Sequence, residues 1–251
     1  VDITDKQLER YARHIVLKDI GAVGQQKIMS AHILVVGAGG IGCPALQSLA
    51  AAGIGKITLF DDDIVSLSNL QRQILFTEND IGKFKVDVAT QRLKQLNPDI
   101  EIVPIKKRLT AQHDRSILDD VDVVLDGCDN FATRLLINDL CIETKTPLVS
   151  AAIGQFQGQV GSFFGWQEAA PCYRCFVGDA FDAEDCDTCS DVGVLGAMCA
   201  MIANFAAMEV IRLITNFGES PMGKIHIIDG LKPAMRAMKL TKDPSCKSCS
   251  A

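Results

Sequence analysis

"VVGAGGIGCPAL", residues 35–46, follows the apolar run HILVV and leads into a helical pattern. Gly37, Gly39 and Gly42 fill a G-x-G-x-x-G spacing. Such glycines permit a tight turn, close approach of a phosphate to the backbone and close packing of helix on strand. The positive end of the helix then stabilises the phosphate charge. Asp61, first in the cluster Asp61 to Asp63, follows the next apolar run, where a carboxylate accepts hydrogen bonds from a ribose. NAD and ATP both carry that ribose, so the fingerprint defines a nucleotide cradle and leaves its ligand open.

Working outward, 32–36 reads as a buried strand, 41–52 as a helix that tolerates Pro44 in its first turn, and 56–60 as a second strand. A helix follows at 84–96, where Asn97-Pro98 stops it. Short strands at 101–105 and 121–125, a helix at 131–143 and a strand at 147–150 continue the alternation. This pattern predicts an α/β, Rossmann-like, mainly parallel sheet with helices on both faces. From Gly158 the texture changes to a strand or hairpin, an acidic cysteine-bearing loop, an apolar helix, the strand KIHIID and a cysteine-bearing tail. These extend the sheet with further strands and add a C-terminal zinc knot. No Pro/Ser linker or repeat interrupts the chain. Residues 1–251 therefore read as a single domain: a helical arm (1–30), a nucleotide-binding half (31–157) and a second half (158–251). Ligands of open sheets bind beyond the carboxyl ends of the strands, where Gly37 to Gly42, Asp61 and Asp129 all fall.

Composition narrows the partners. A formal charge of -6 over 251 residues argues against nucleic-acid binding, which normally shows as a basic face. The opening VDITDKQLERYARH reads as an amphipathic helix with a Thr4/Gln7 capping box and not as a leader, so a cytoplasmic protein is expected. The apolar stretch 192–208 falls short of a membrane span and contains Asn204. It reads as a buried or interface helix.

SNLQRQ (68–73) and GKFK (82–85) place Asn69, Arg72 and Lys85 near the glycine loop, cationic and hydrogen-bonding groups that a triphosphate needs and a hydride transfer does not. LDGCDN (125–130) brings Asp126 and Asp129 to the end of a strand, where a carboxylate can hold Mg²⁺ against phosphates. His14, His32, His113 and His226 read as structural or exposed. Ten cysteines in a reducing compartment must be explained without disulfides. Cys43, Cys128, Cys141 and Cys199 are isolated and read as packing residues. Cys172/Cys175 and Cys246/Cys249 form two C-x-x-C pairs, the four-thiolate set of a structural Zn²⁺ site. Cys186/Cys189 form a third pair, flanked by carboxylates that lower thiolate nucleophilicity.

RYARHIVL, GAGGIG, DDDIVSLSNLQRQILF, DIGKFK, NPDIEI, LDGCDN, PCYRC, AMEVIRL and the last C-x-x-C, in this order over nearly the whole chain, resemble the ThiF/MoeB adenylyltransferases, bacterial relatives of ubiquitin-activating enzymes. The resemblance implies an enzyme that uses ATP and Mg²⁺ to adenylate the C-terminal glycine of a ubiquitin-like sulfur-carrier protein ending in Gly-Gly, releasing pyrophosphate. The pathways implied are thiamin or molybdopterin synthesis. By motif, Gly40 and its neighbours face the phosphates, Asp61 the ribose, Ser68, Asn69, Leu70, Gln71, Arg72 and Lys85 the phosphate chain, and Asp129 with Asn130 the metal and nucleotide. The same four cysteines are implied as zinc ligands, and the half from 158 as the carrier-docking part. Arg13 matches an arginine that reaches across a homodimer into the partner's site. Cys189 matches a crossover-loop cysteine that links covalently to the carrier in the ThiF type. No rhodanese-like extension is present, so a separate sulfur donor such as a cysteine desulfurase is expected. One departure stands out: D-G-C-D-N replaces the usual D-C-T-D-N, which bears on packing beside Asp129. Two other classes compete: an NAD(P)-dependent oxidoreductase using the glycine loop, and a non-catalytic zinc-stabilised binding module.

Overall fold

A computed structural model describes residues 3–113, 115–178 and 193–250. One eight-stranded sheet runs in the order β3-β2-β1-β4-β5-β6-β7-β8. Its parallel half comprises β1 (His32–Val36), β2 (Lys56–Phe60), β3 (Glu101–Ile105), β4 (Val123–Asp126) and β5 (Leu148–Gly154). The antiparallel half adds β6 (Gln157–Phe163), β7 (Lys224–Asp229) and β8 (Ala234–Lys239). The helices are α1 (Asp5–Ile15), α2 (Gly21–Ser30), α3 (Gly42–Ala52), α4 (Lys85–Leu96), α5 (Phe131–Thr144), α6 (Tyr173–Val177) and α7 (Gly196–Thr215).

Alternation along each strand divides the core between the two faces. Ile33 and Val35 of β1 pack on the side of α3, α4 and α7, with Leu46, Leu49, Leu93, Ile202 and Val210. Leu34 and Val36 face the other way, onto α5, with Leu135, Ile137, Phe163 and Tyr173. Burying each such side chain contributes about 1.5–3 kcal/mol. The apolar stretch is a core helix: α7 is 20 residues long with mean hydropathy 1.7, enough by composition to cross a membrane. Its Cys199, Ile202, Ala203, Ala206 and Val210 are instead buried in the core.

The capping box of α1 forms as its spacing predicts. Thr4 Oγ1 accepts the Gln7 N–H at 3.3 Å, and Gln7 Oε1 accepts the Thr4 N–H at 3.0 Å. The arm is tied to the body by Asn97, whose Nδ2 donates to the Tyr11 hydroxyl at 2.9 Å and the Ala50 carbonyl at 2.8 Å. The stop signal thus doubles as a tether. Two elements differ from the sequence reading. The strand read at 147–150 continues to Gly154, because the Gln155–Phe156 turn returns the chain as β6. The tail contains β8, an edge strand whose every residue is exposed, so no alternation of burial marks it.

Candidate active site

A cleft of about 350 Å³ opens at the carboxyl ends of β1, β2 and β4. The glycine loop forms its floor. Gly37 has φ +94, and a Cβ on Gly42 would lie 1.8 Å from the Gly37 carbonyl oxygen, so the loop-to-helix turn excludes side chains there. No side chain caps α3; in its first turn the Cys43 and Ala45 N–H groups donate to the Gly39 and Ile41 carbonyls at 3.0 and 3.3 Å, and Pro44 has no N–H.

Asp61, at the end of β2, accepts the Ala38 N–H at 2.7 Å and the Asp63 N–H at 2.9 Å. These bonds fix the carboxylate against the loop while each oxygen keeps a lone pair for a ribose hydroxyl. Burial raises its pKa, and Lys85 nearby partly offsets this. As pH falls, Asp61 therefore gains its proton sooner than an ordinary carboxylate and loses acceptor capacity. Affinity for a ribose-bearing nucleotide is expected to fall on the acid side, beginning above the usual carboxylate range of about 4. Asp61→Asn should flatten that limb; an unaltered acid limb in Asp61→Asn would refute the assignment.

The charged groups come from three segments. Lys85, at the start of α4, is buried and its Nζ lies 2.7 Å from Asp63 Oδ2. Arg72 donates from Nη1 to the Ser68 carbonyl at 3.0 Å, and its stem crosses the loop, with Cδ 3.3 Å from where a Cβ on Gly40 would stand. Asp129 borders the cleft from the β4–α5 loop and makes no hydrogen bond or ion pair with another described residue. Asn130 caps α5, its Oδ1 accepting the Thr133 N–H at 2.8 Å, and also borders the cleft.

What holds Asp129 in place escaped the sequence reading. Arg134, buried on α5, donates to Asp126 Oδ2 and Ser150 Oγ, both at 3.0 Å, to the Ala151 carbonyl at 2.9 Å and to the Cys128 carbonyl. Ser150 Oγ donates to the same Asp126 oxygen at 2.8 Å, and the Cys128 N–H and thiol donate to Asp126 Oδ1 at 3.1 and 2.8 Å. Asp126 is consumed by this bracing, which leaves Asp129 to a ligand. Cys128 is more than a packing residue: it borders the cleft, and burial, reinforced by Asp126, pushes its pKa up and keeps the thiol protonated. Cys199 borders the cleft as well.

Gly37, Gly39, Gly40, Asp61, Asn69, Arg72, Lys85, Asp129 and Asn130 thus meet at one cleft, joined by Gln73, Lys107 and Arg108, which the motif reading left out. Ser68, Leu70 and Gln71 are not among the lining residues. Ser68 supports Arg72 through its carbonyl, Leu70 packs on the core, and Gln71 Nε2 donates to the Val194 carbonyl at 3.4 Å. Arg13 is exposed on α1 and does not border the cleft of its own chain. No histidine lines it either: His14 bonds Gln25 at 2.9 Å, His32 bonds Thr58 at 2.9 Å, His113 bonds Thr110 at 3.1 Å, and His226 meets Phe205 edge to face at 4.9 Å between centroids. Cys186 and Cys189 lie outside the described residues.

The four paired cysteines converge apart from the cleft. The ligand atoms of Cys172, Cys175, Cys246 and Cys249 all lie within 4.8 Å of one another. Individual Sγ separations are 3.8 Å (172 to 175), 3.6 Å (172 to 246) and 3.4 Å (175 to 249). Tetrahedral zinc with Zn–S of about 2.3 Å would set its sulfurs about 3.8 Å apart, so this donor set fits Zn²⁺. Tyr173 N–H donates to Asn138 Oδ1 at 2.8 Å, fixing the first knuckle to α5, and Asp243 N–H donates to Cys175 Sγ at 3.4 Å.

An open α/β sheet with a glycine loop, a ribose-type aspartate and a cationic phosphate end defines a nucleotide-binding protein of Rossmann type, carrying a Cys₄ cluster as its second feature. More particularly, this chain belongs to the ThiF family, whose sequence pattern matches residues 11–248. It is 40% identical over 248 residues to the sulfur carrier protein ThiS adenylyltransferase of Escherichia coli, covering 98% of this chain and 97% of that one. It is 39% identical over 248 residues to the molybdopterin-synthase adenylyltransferase of Salmonella typhimurium, covering 99% and 98%. The crystal structure of E. coli MccB with ATP superposes with a TM-score of 0.80 at 25% identity, over 98% of this chain and 75% of that one.

Proposed function

We propose that this protein adenylates the C-terminal glycine of a ubiquitin-like sulfur-carrier protein ending in Gly-Gly, with release of pyrophosphate, in thiamin or molybdopterin synthesis. The observation that carries the reading is the meeting of Arg72, Lys85 and Asp129 with Asp61 and the glycine loop at one cleft. The names of its relatives support it.

The carrier carboxylate is already ionised at neutral pH, so no general base is required, in keeping with a cleft that no histidine lines. Its difficulty is approach to an anionic phosphate. A carboxylate oxygen bonds to the α-phosphorus, the bridging bond to the β-phosphate breaks, and the electron pair departs with pyrophosphate. Arg72 and Lys85 hold the phosphate chain in line with the attack and cancel its charge. Asp129 would hold Mg²⁺, since Asp126 is occupied by Arg134. Magnesium, when bound, would supply neutralisation of charge on the phosphate chain.

In this reading the protein acts as a cytoplasmic homodimer in which Arg13, exposed and outside its own cleft, serves the partner's. Zn²⁺ at the four cysteines is structural. Cys189 accepts the carrier in a later sulfur transfer for which a separate donor such as a cysteine desulfurase provides sulfur, and adenylation proceeds without it. The decisive experiment is ATP–pyrophosphate exchange with purified small proteins ending in Gly-Gly. Exchange with one of them is expected. Absence of exchange with all, at full zinc content, would refute adenylation, and NADH fluorescence titration would then test the oxidoreductase alternative.

A further inference from the structure

Gln73 follows directly on the SNLQR residues assigned to the phosphate chain, yet its side chain is the more unusual. The residue is 3% exposed and borders the cleft. Its backbone is fully used: the N–H donates to the Asn69 carbonyl at 2.9 Å and the carbonyl accepts the Phe76 N–H at 3.1 Å. The side chain forms no hydrogen bond with any described residue, and Oε1 is buried without a donor. The buried end of the amide is thus its carbonyl, an acceptor, while Nε2 makes no hydrogen bond with a described residue and is not among the buried atoms left without a partner. The two other buried side-chain atoms without partners among the described residues, Ser162 Oγ and Glu209 Oε2, belong to residues that do not line the cleft.

Position narrows what Gln73 meets. A Cβ placed on Gly39 would lie 4.0 Å from Gln73 Nε2. Gly39 stands between Ala38, whose N–H holds the ribose-type carboxylate of Asp61, and Gly40, over which the Arg72 stem passes. A nucleotide lying along this loop with its ribose on Asp61 brings its first phosphate, one methylene beyond the sugar, to the segment beside Gly39.

We infer that Gln73 is a catalytic residue of the adenylation, its amide N–H donating to a non-bridging oxygen of the α-phosphate that the carboxylate attacks. The inference rests on the adenylation reading and deepens it. As the new carboxyl–phosphorus bond forms and the bond to the β-phosphate breaks, the oxygens on the α-phosphorus redistribute charge. A fixed neutral donor interacts more strongly as that charge grows. Gln73 exchanges no proton in the step. It supplies an N–H dipole that the fold holds beside the glycine loop.

The test pairs Gln73→Met, which keeps length and removes the amide, with Gln73→Glu, which keeps shape and turns an oxygen anion toward the phosphate. For Gln73→Met, kcat of ATP–pyrophosphate exchange is expected to fall about a hundredfold, as for loss of one oxyanion donor, with KM for ATP nearly unchanged. Its Tm should stay level or rise, because a buried carbonyl oxygen without a donor has been removed. Gln73→Glu should lose more activity than Gln73→Met. Three results would overturn the inference: wild-type kcat in Gln73→Met, a rise in KM alone, or a fall in Tm that accompanies the fall in rate, which marks a structural role. If the unaltered protein exchanges with a carrier and Gln73→Met matches it, only this assignment fails. If the unaltered protein exchanges with none, the adenylation reading fails and takes this assignment with it.

Discussion

Asp129→Ala is expected to lower carrier-dependent ATP–pyrophosphate exchange by about a thousandfold or more, the scale of losing a group that stabilises charge on a transferring phosphoryl centre. The expectation follows from a division of labour between neighbouring carboxylates. Asp126 is 1% exposed and spends its oxygens on Arg134, Ser150 and Cys128, whereas Asp129 borders the cleft without a protein partner among the described residues. Removing Asp129 should therefore cost activity and little stability. Asp126→Ala should do the reverse first, because it strands a buried guanidinium, a change that costs about 3–5 kcal/mol. Exchange rates and thermal melts on both variants separate the roles. Cys189→Ala provides the complementary control and should leave exchange largely intact. An Asp129→Ala protein that exchanges normally, or a Cys189→Ala protein that does not, would reverse the assignment.

The contrast between these aspartates also marks where sequence reading reaches and where it stops. β1, the glycine loop, α3 and β2 are legible because their signals are local: apolar runs, fixed glycine offsets and an acidic residue after a strand. The two C-x-x-C pairs are legible for the same reason, although they lie 74 residues apart and meet only in the fold. Arg134 is different. In FATRLLIN it reads as one cation on a helix, and its burial depends on Asp126, eight positions earlier, and on Ser150 in another strand. Nothing nearby in the chain announces those partners. Gln73 was in view as part of SNLQRQ, yet only the packing around Gly39 reveals that its amide has no protein partner. β8 escaped because an edge strand exposed along its whole length has no buried face to impose a period.

The Cys₄ cluster yields the other large expected effect. Cys172 is 0% and Cys246 5% exposed, with Cys175 and Cys249 half-buried beside them, so four thiolates crowded within 4.8 Å are disfavoured unless a cation is shared among them. Zinc binding is then folding energy. The tail is also tied by Arg174 Nε, which donates to Ser248 Oγ at 3.0 Å, by Asp243 N–H, which donates to Cys175 Sγ at 3.4 Å, and by Lys242 Nζ, which donates to the Gln167 carbonyl at 3.4 Å. One zinc per chain is expected in freshly purified protein by elemental analysis. Cys246→Ser, or exhaustive chelation, should remove it and release the segment after β8, exposing it to proteolysis. Tm should fall by about 10 °C or more, since each kcal/mol lost shifts Tm by about 2–4 °C at this size. The cleft is built by other elements, from β1, β2, β4 and the loops that follow them, so nucleotide binding measured below the lowered Tm should survive. Protein that purifies without zinc, or a Cys246→Ser variant that melts with the unaltered chain, would show that the thiols pack without a metal and that the tail is held by contacts other than these four sulfurs.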